Sequence, residues 1–88
     1  MELPRSIGNL NELTVMNVDR NSLGEIPLDI GNMTLLGVLS LRDNKLTKLP
    51  NELGNCKSLH VLDVSGNRYV GFIIIFYSMY IVVKQKKL

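Results

Sequence analysis

The sequence predicts an α/β fold built as a leucine-rich solenoid of about three units, followed by an apolar C-terminal tail. One observation is that apolar residues, prolines and asparagines recur every 23 residues through positions 1–67. A second is that each unit carries only one narrow apolar face, which it can bury only by stacking on its neighbours. The 88-residue chain is 45% hydrophobic and 20% charged, as is usual for a folded protein.

The central unit, Leu36–Leu53, is the most regular and reads LGVLSLRDNKLTKLPNEL. Its positions match those 23 residues earlier and later. The matched columns are Leu3/Ile26/Leu49, Pro4/Pro27/Pro50, Ile7/Ile30/Leu53, Leu10/Met33/Cys56, Leu13/Leu36/Leu59, Met16/Leu39/Leu62, Val18/Leu41/Val64 and Asn21/Asn44/Asn67. This is the pattern of a leucine-rich repeat.

A short strand is predicted in each repeat. Leu39 and Leu41 are two residues apart, so both side chains point to one face of a strand. We expect the strands of successive repeats to pair in parallel and to line a concave surface. Each strand is followed by an asparagine, where a buried amide can satisfy turn backbone groups and form a ladder between repeats. These structural residues are Asn21, Asn44 and Asn67.

A short helical turn is predicted on the convex side of each repeat. Pro27 and Pro50 suit the first position of such a helix, where a missing N–H is harmless. Ile30 and Met33 are three residues apart and are expected to face inward from this side. Gly31 and Gly54 are expected to permit a tight exit from the helix.

The periodicity ends at Asn67, which divides the chain into a partial repeat array without caps, residues 1–67, and a tail, residues 68–88. The tail contains an uncharged run, Tyr69–Val83, followed by KQKKL. A membrane-spanning helix needs about 20 apolar residues, which is more than this run supplies. Three alternatives remain open: a single-pass membrane anchor, a strand or helix that covers the last repeat, and a truncated product without independent function. The N-terminus, MELPRSIGNLNE, lacks the apolar core of a signal peptide.

Composition and motifs argue against several classes of function. The net charge of +2 is too small to indicate nucleic-acid binding. With one histidine, His60, and one cysteine, Cys56, the chain offers no catalytic pair, metal site or cofactor site, and no small-molecule substrate is indicated. Cys56 occupies an apolar column, which predicts a buried, inert thiol. His60 is expected to be exposed at the start of a strand.

The positions left free for function lie between the apolar residues of the strands. We predict that they form a mixed polar and apolar surface suited to a protein partner, so that the chain is a non-enzymatic interaction module. The predicted partner-binding residues are Val15, Asn17, Asp19, Val38, Ser40, Arg42, Val61 and Asp63. Neighbouring repeats are expected to pair Asp19 with Arg42 and Arg20 with Asp43.

The strings ELPRSIGNLNELTVMNVDRNSL, LGVLSLRDNKLTKLPNELGNC and LHVLDVSGN resemble the LAP family, whose members combine leucine-rich repeats with PDZ domains. The resemblance covers about residues 2–67. It implies a cytoplasmic scaffold at the cell cortex, basolateral membrane and cell junctions of epithelia, acting in apicobasal polarity. No PDZ segment is present in these 88 residues, so peptide binding of the PDZ type is not implied.

A second resemblance is to the extracellular repeats of plant receptors. It rests on Asn21-Ser-Leu-Gly-Glu-Ile-Pro and Ile30-Gly-Asn-Met-Thr. Those receptors use a 24-residue unit, whereas the unit here has 23 residues, which favours the intracellular family. Under the receptor interpretation, Asn32 in Asn32-Met33-Thr34 would be a glycosylation site and the tail a membrane segment.

Overall fold

A computed structural model describes residues 2–68 and a strand formed by Tyr80–Val82. Each repeat contributes one short strand to a single parallel sheet of order β1-β2-β3-β4. The strands are β1 (Val15–Asn17), β2 (Val38–Ser40), β3 (Val61–Asp63) and β4 (Tyr80–Val82). The sheet is open at its ends, and β1 forms one of them.

Pairing between the first three strands follows the 23-residue spacing without a slip. Met16 lies beside Leu39, and Leu39 lies beside Leu62. All three side chains are buried, because a strand turns alternate side chains to the same face and that face packs against the core. The register expected from the repeat columns is therefore the observed one.

The other side of each repeat forms a 3-10 helix of five residues rather than an α-helix. The three helices are Arg5–Asn9, Leu28–Asn32 and Asn51–Asn55. The first contacts the second, and the second contacts the third. Five residues allow little more than one turn, and the i to i+3 hydrogen bonds of the 3-10 form suit so short a segment.

The prolines lie one position earlier than predicted. Pro27 and Pro50 occupy the N-cap, in extended conformation, rather than the first helical position. Their carbonyl oxygens accept hydrogen bonds from the amides of Ile30 and Leu53, both at 3.1 Å, which closes the first turn. The extended ψ of 149° at Pro27 is what places it outside the helix.

Gly31 also differs from its predicted role. It lies inside the second 3-10 helix and has no positive φ, so it does not serve as a left-handed exit. Instead, a Cβ added at Gly31 would lie 2.7 Å from the carbonyl oxygen of Glu52 in the next repeat. Gly8 approaches Asp29 in the same way. Glycine at this column permits close contact between neighbouring helices.

The core lies between the sheet and the 3-10 helices. It is formed by the repeated apolar columns, with Ile30 and Met33 turned inward as predicted. The core residues are Ile7, Met16, Leu23, Ile26, Ile30, Met33, Leu36, Leu39, Leu41, Leu46, Leu53, Cys56, Leu59, Leu62 and Val64. Leu10 and Leu13 belong to the same columns but are exposed, because no repeat of the described chain covers the first one.

The tail contributes β4, which pairs in parallel with β3 and places Ile81 beside Leu62. The proposed membrane run Tyr69–Val83 lies, apart from β4, outside the described residues. Among the residues that the structure describes, no helix has the length and apolar character needed to cross a membrane.

Candidate functional site

The residues predicted to bind a partner come together on one side of the sheet, which we call the strand face. The strand face consists of Val15, Asn17, Asp19, Val38, Ser40, Arg42, Val61 and Asp63. Pairing aligns Val15, Val38 and Val61 in one row, and Asn17, Ser40 and Asp63 in the next. The rows alternate with the buried core residues of the same strands, so their side chains point away from the core.

The row of valines is apolar surface that the fold leaves open. Val15 exposes 57% of its surface, and Val38 and Val61 are half-buried. Such a row beside polar groups has the composition of an interaction surface, in which apolar contact gives affinity and polar contact gives orientation.

Asp19 holds two groups of the second repeat. Its Oδ1 atom accepts a hydrogen bond from the Ser40 hydroxyl at 2.7 Å and another from the Arg42 backbone amide at 2.8 Å. The predicted Asp19–Arg42 pair therefore forms through the backbone of Arg42 and not through its guanidinium. Oδ1 of Asp63 accepts hydrogen bonds within its own repeat, from the backbone amide and the hydroxyl of Ser65.

Arg42 of the strand face, and Arg20 next to it, each lie beside a carboxylate of the next repeat. Nε of Arg42 is 3.7 Å from Oδ2 of Asp63, and Nε of Arg20 is 3.6 Å from Oδ2 of Asp43, which is the pair that the columns predict. Both pairs are partly or largely exposed, so each contributes well below about 1 kcal/mol to stability. They bring charges of opposite sign from neighbouring repeats close together.

Buried asparagine side chains form a ladder of hydrogen bonds between the turns that follow the strands. Oδ1 of Asn44 accepts hydrogen bonds from the backbone amides of Asn21 and Leu23, at 2.9 and 3.0 Å. Its Nδ2 atom lies 3.0 Å from the carbonyl oxygen of Leu41 and 3.1 Å from that of Val18. The side chain thus ties its own turn to the turn of the preceding repeat.

Asn67 makes the equivalent contacts one repeat later. Its Oδ1 accepts from the Leu46 amide at 3.0 Å, and its Nδ2 donates to the Leu41 carbonyl oxygen at 2.8 Å. Asn21, by contrast, is only half-buried, and its amide donates to the carbonyl oxygen of Asp19 in its own turn. The difference follows from its place in the first repeat, since residues 2–68 include no earlier turn from whose backbone amides its side chain could accept hydrogen bonds.

The chemically reactive side chains lie where the columns place them. Cys56 is buried and donates a hydrogen bond to the carbonyl oxygen of Ile30 at 3.0 Å. Burial raises the pKa of its thiol, which disfavours the nucleophilic thiolate. His60 is exposed, with Nδ1 3.0 Å from the carbonyl oxygen of Ser58. Within residues 2–68, no three His, Cys, Asp or Glu side chains are grouped as a metal ion requires.

A groove on the 3-10 helix side of the repeats is a feature that the sequence interpretation missed. It has a volume of about 540 Å³, with Ile26, Pro27, Leu28 and Pro50 among its lining residues. At its edge, Nε of Arg5 lies 3.2 Å from Oδ1 of Asp29. The signal in the sequence was Leu28, an apolar residue in a column that holds Arg5 and Asn51 in the other repeats.

Comparison with known families decides the classification. A family model described as leucine rich repeat matches residues 11–68. The chain belongs to the leucine-rich repeat family. Repeats of this family commonly bind proteins and are typically non-enzymatic. Comparison with curated proteins gave no match.

Proposed function

We propose that this leucine-rich repeat protein is a protein-interaction module that binds its partner through the strand face, on the concave side of a solenoid. The observation that carries the proposal is the row formed by exposed Val15 and half-buried Val38 and Val61, which lies beside charged side chains. Asp19 and Asp63 already accept hydrogen bonds from neighbouring groups, so little of the side-chain entropy of these two carboxylates remains to be lost when a partner binds.

We further propose that the module acts at the cell cortex, as part of a cytoplasmic scaffold for apicobasal polarity. The support is the resemblance of its repeat strings to the LAP family, and among its members to Scribble. The 23-residue unit, rather than the 24-residue unit of plant receptors, also favours an intracellular protein.

The binding surface is tested with a triple variant that keeps the net charge. Val38→Thr, Arg42→Gln and Asp63→Asn together remove the middle of the valine row and one charge of each sign. The control triple, Leu28→Thr, Lys45→Gln and Glu25→Gln, makes comparable changes away from the strand face. Affinity capture from an epithelial lysate, quantified by mass spectrometry, should lose specific partners only with the first triple.

Two outcomes would contradict this assignment. Equal capture by both triples and the unchanged chain would show that the strand face binds nothing in the lysate. Loss of capture with the control triple alone would place binding at the groove, since Leu28 and Glu25 line it. A captured protein should then be purified and its affinity for each variant measured by calorimetry.

The cortical location is tested separately, with a fluorescent fusion of the whole chain in a polarised epithelial monolayer. We expect signal along the lateral cortex and release of the protein from membranes by carbonate. A diffuse signal contradicts the scaffold proposal. Retention after carbonate extraction instead favours the alternative of a tail-anchored or receptor-type membrane protein.

A further inference from the structure

The charged side chains of the strand face differ in how far they extend into solvent. The Arg42 side chain is 50% exposed, whereas that of Asp63 is 23% exposed and Asp19 is half-buried. The backbone of Arg42 is fixed, because its N–H donates to Oδ1 of Asp19 and its carbonyl oxygen accepts from the amide of Arg20 at 2.9 Å. Its strand, β2, has a described repeat strand on either side, so its exposure does not arise from an end of the stack. The face thus presents a guanidinium from a fixed backbone.

The hydrogen-bonding groups of these side chains are filled unequally. Oδ1 of Asp19 accepts from Ser40 and from the amide of Arg42, and Oδ1 of Asp63 accepts twice from Ser65. Nε of Arg42 is 3.7 Å from Oδ2 of Asp63, which is too long for a hydrogen bond. A guanidinium carries five N–H donors and no acceptor, so Arg42 has donors to offer to an acceptor on a partner.

Arg20 has the same geometry beside the strand face, one repeat earlier. Its Nε lies 3.6 Å from Oδ2 of Asp43, and its side chain is 76% exposed against 41% for that of the aspartate. The aspartates beside the arginines outnumber them, but all three carboxylates are half-buried and both guanidiniums are exposed. A partner therefore meets the arginines first, and a carboxylate is the acceptor that matches the planar fork of a guanidinium.

We propose that the partner contributes an acidic segment, in which an apolar side chain packs on the valine row and Asp or Glu side chains bind Arg42 and Arg20. The proposal rests on the strand face being the surface that binds protein. Arg42 follows Val38 by four residues and Arg20 follows Val15 by five, which separates each pair by up to about 13 and 17 Å at about 3.3 Å per residue. An extended segment of the partner covers that distance with four or five residues of its own.

The aspartates and the valines favour a protein over a nucleic acid or an anionic membrane. Phosphate groups follow one another closely in both, and a continuous row of them would meet Asp19, Asp43 and Asp63 as well as the arginines. Like charges brought together in this way repel each other. A row of phosphates also has no side chain to place on the valines, whereas a peptide can combine acidic and apolar residues.

Selection of a random linear peptide library on the full chain tests the proposal. We expect the selected peptides to be enriched in Asp and Glu at positions four or five residues from an apolar side chain. A selected peptide is then synthesised, and its dissociation constant is measured by fluorescence anisotropy. Arg20→Gln with Arg42→Gln should raise that constant by at least about tenfold, because the carboxylates of the peptide lose their partners.

Two controls separate a specific contact from a change in net charge or in folding. Lys48→Gln with Lys57→Gln removes the same charge at exposed positions outside the strand face and should leave the dissociation constant unchanged. Replacing the acidic residues of the peptide with their amides should weaken its binding to the unchanged chain as much as the arginine changes do. This second control needs no variant of the protein.

Val38→Thr distinguishes a failure of this proposal from a failure of the proposed function, and we expect it to weaken the acidic peptides as well. Peptides without acidic enrichment, which Val38→Thr weakens and the arginine changes do not, overturn the acidic segment but keep the strand face as the binding surface. Peptides that neither change weakens bind elsewhere and overturn both. A library that yields no binding peptide overturns the acidic segment. So does binding of phosphatidylserine vesicles or oligothymidylate that the arginine changes weaken while no acidic peptide is selected.

Discussion

At the scale of single residues, the molecule depends most on polar side chains that contact two repeats at once. Asn44 satisfies backbone groups of its own turn and of the turn before it, and it is fully buried. Asp19 does the same at the surface, through Ser40 and Arg42. Because these contacts join residues of successive repeats, they hold neighbouring turns at a fixed distance.

Asn44→Ala is expected to lower the free energy of unfolding by roughly 1–3 kcal/mol or more, because it leaves buried N–H and C=O groups without partners. Asn21→Ala is the matched control, since Asn21 is half-buried and its side chain donates a hydrogen bond only within its own turn in the described structure. It should cost clearly less. Urea denaturation followed by circular dichroism measures both, and equal losses would contradict the ladder.

The thiol of Cys56 is expected to react slowly with iodoacetamide in the folded protein and rapidly in urea. Because burial raises its pKa, the folded state disfavours the thiolate. Stability should therefore be insensitive to this group at pH values below its ordinary pKa. It should fall as the pH rises from that ordinary value towards the raised one, since only the unfolded chain releases the proton there. Rapid labelling without denaturant would show that the thiol is accessible.

At the scale of elements, short strands and 3-10 helices are held mainly by their neighbours. A three-residue strand or a five-residue 3-10 helix has too few internal hydrogen bonds to persist alone. The close approach at Gly31 shows how tightly successive helices pack. Stability at this scale therefore depends on contacts between repeats.

Gly31→Ala is expected to destabilise the protein by about 1–3 kcal/mol, because the added Cβ would meet the backbone of Glu52 and force two helices apart. Gly24→Ala is the control, since a Cβ there meets nothing within 4 Å. Gly24→Ala should be neutral or stabilise the protein by up to about 1 kcal/mol, because alanine lowers the conformational entropy of the unfolded chain. Thermal unfolding of the two variants checks this, and similar melting temperatures would contradict it.

The strand register could be predicted from the sequence, because the alternation of Leu39 and Leu41 and the fixed spacing leave only one way to bury both. The 3-10 form of the helices could not be predicted, since Ile30 and Met33 are three residues apart and suit either type of helix. The role of Gly31 could not be predicted either, because it depends on where Glu52 of another repeat lies.

The candidate site, too, could be predicted only in part from the sequence. The columns placed Val15, Val38 and Val61 on one surface, because the position of a residue along a strand determines the face to which its side chain points. They did not decide which aspartate Arg42 contacts, because an aspartate lies in the repeat on either side. In the structure the backbone amide of Arg42 donates to Asp19, and its guanidinium lies beside Asp63. The groove was missed because residues of three successive repeats line it, and only Leu28 marked it.

At the scale of the whole molecule, the two ends of the repeat stack differ. β4 pairs with the last repeat strand, whereas the first repeat leaves Leu10 and Leu13 open. In a repeat stack each unit is stabilised only by its immediate neighbours, so the ends determine how cooperatively the whole unfolds. The strand Tyr80–Val82 is therefore expected to contribute to stability beyond its own length.

A shortened chain of residues 1–67 is expected to unfold at lower urea concentration and over a broader range than the full chain. It loses β4, which leaves the edge of β3 and the last apolar layer unpaired. Circular dichroism and fluorescence of an added probe should give non-coincident transitions for the shortened chain. A sharp two-state transition of the shortened chain would contradict this prediction.

The amide of Asn44 also constrains how the length of this protein can change. Its Oδ1 accepts from the amide of Asn21, 23 positions earlier, so inserting or deleting one residue between them would misalign the turn and every strand after it. Removing residues 24–46 as a block would instead join Leu23 to Thr47 and bring Asn67 to the place that Asn44 now holds. Such a chain can gain or lose whole repeats by duplication or deletion, while single-residue insertions and deletions are tolerated only where no side chain spans two repeats.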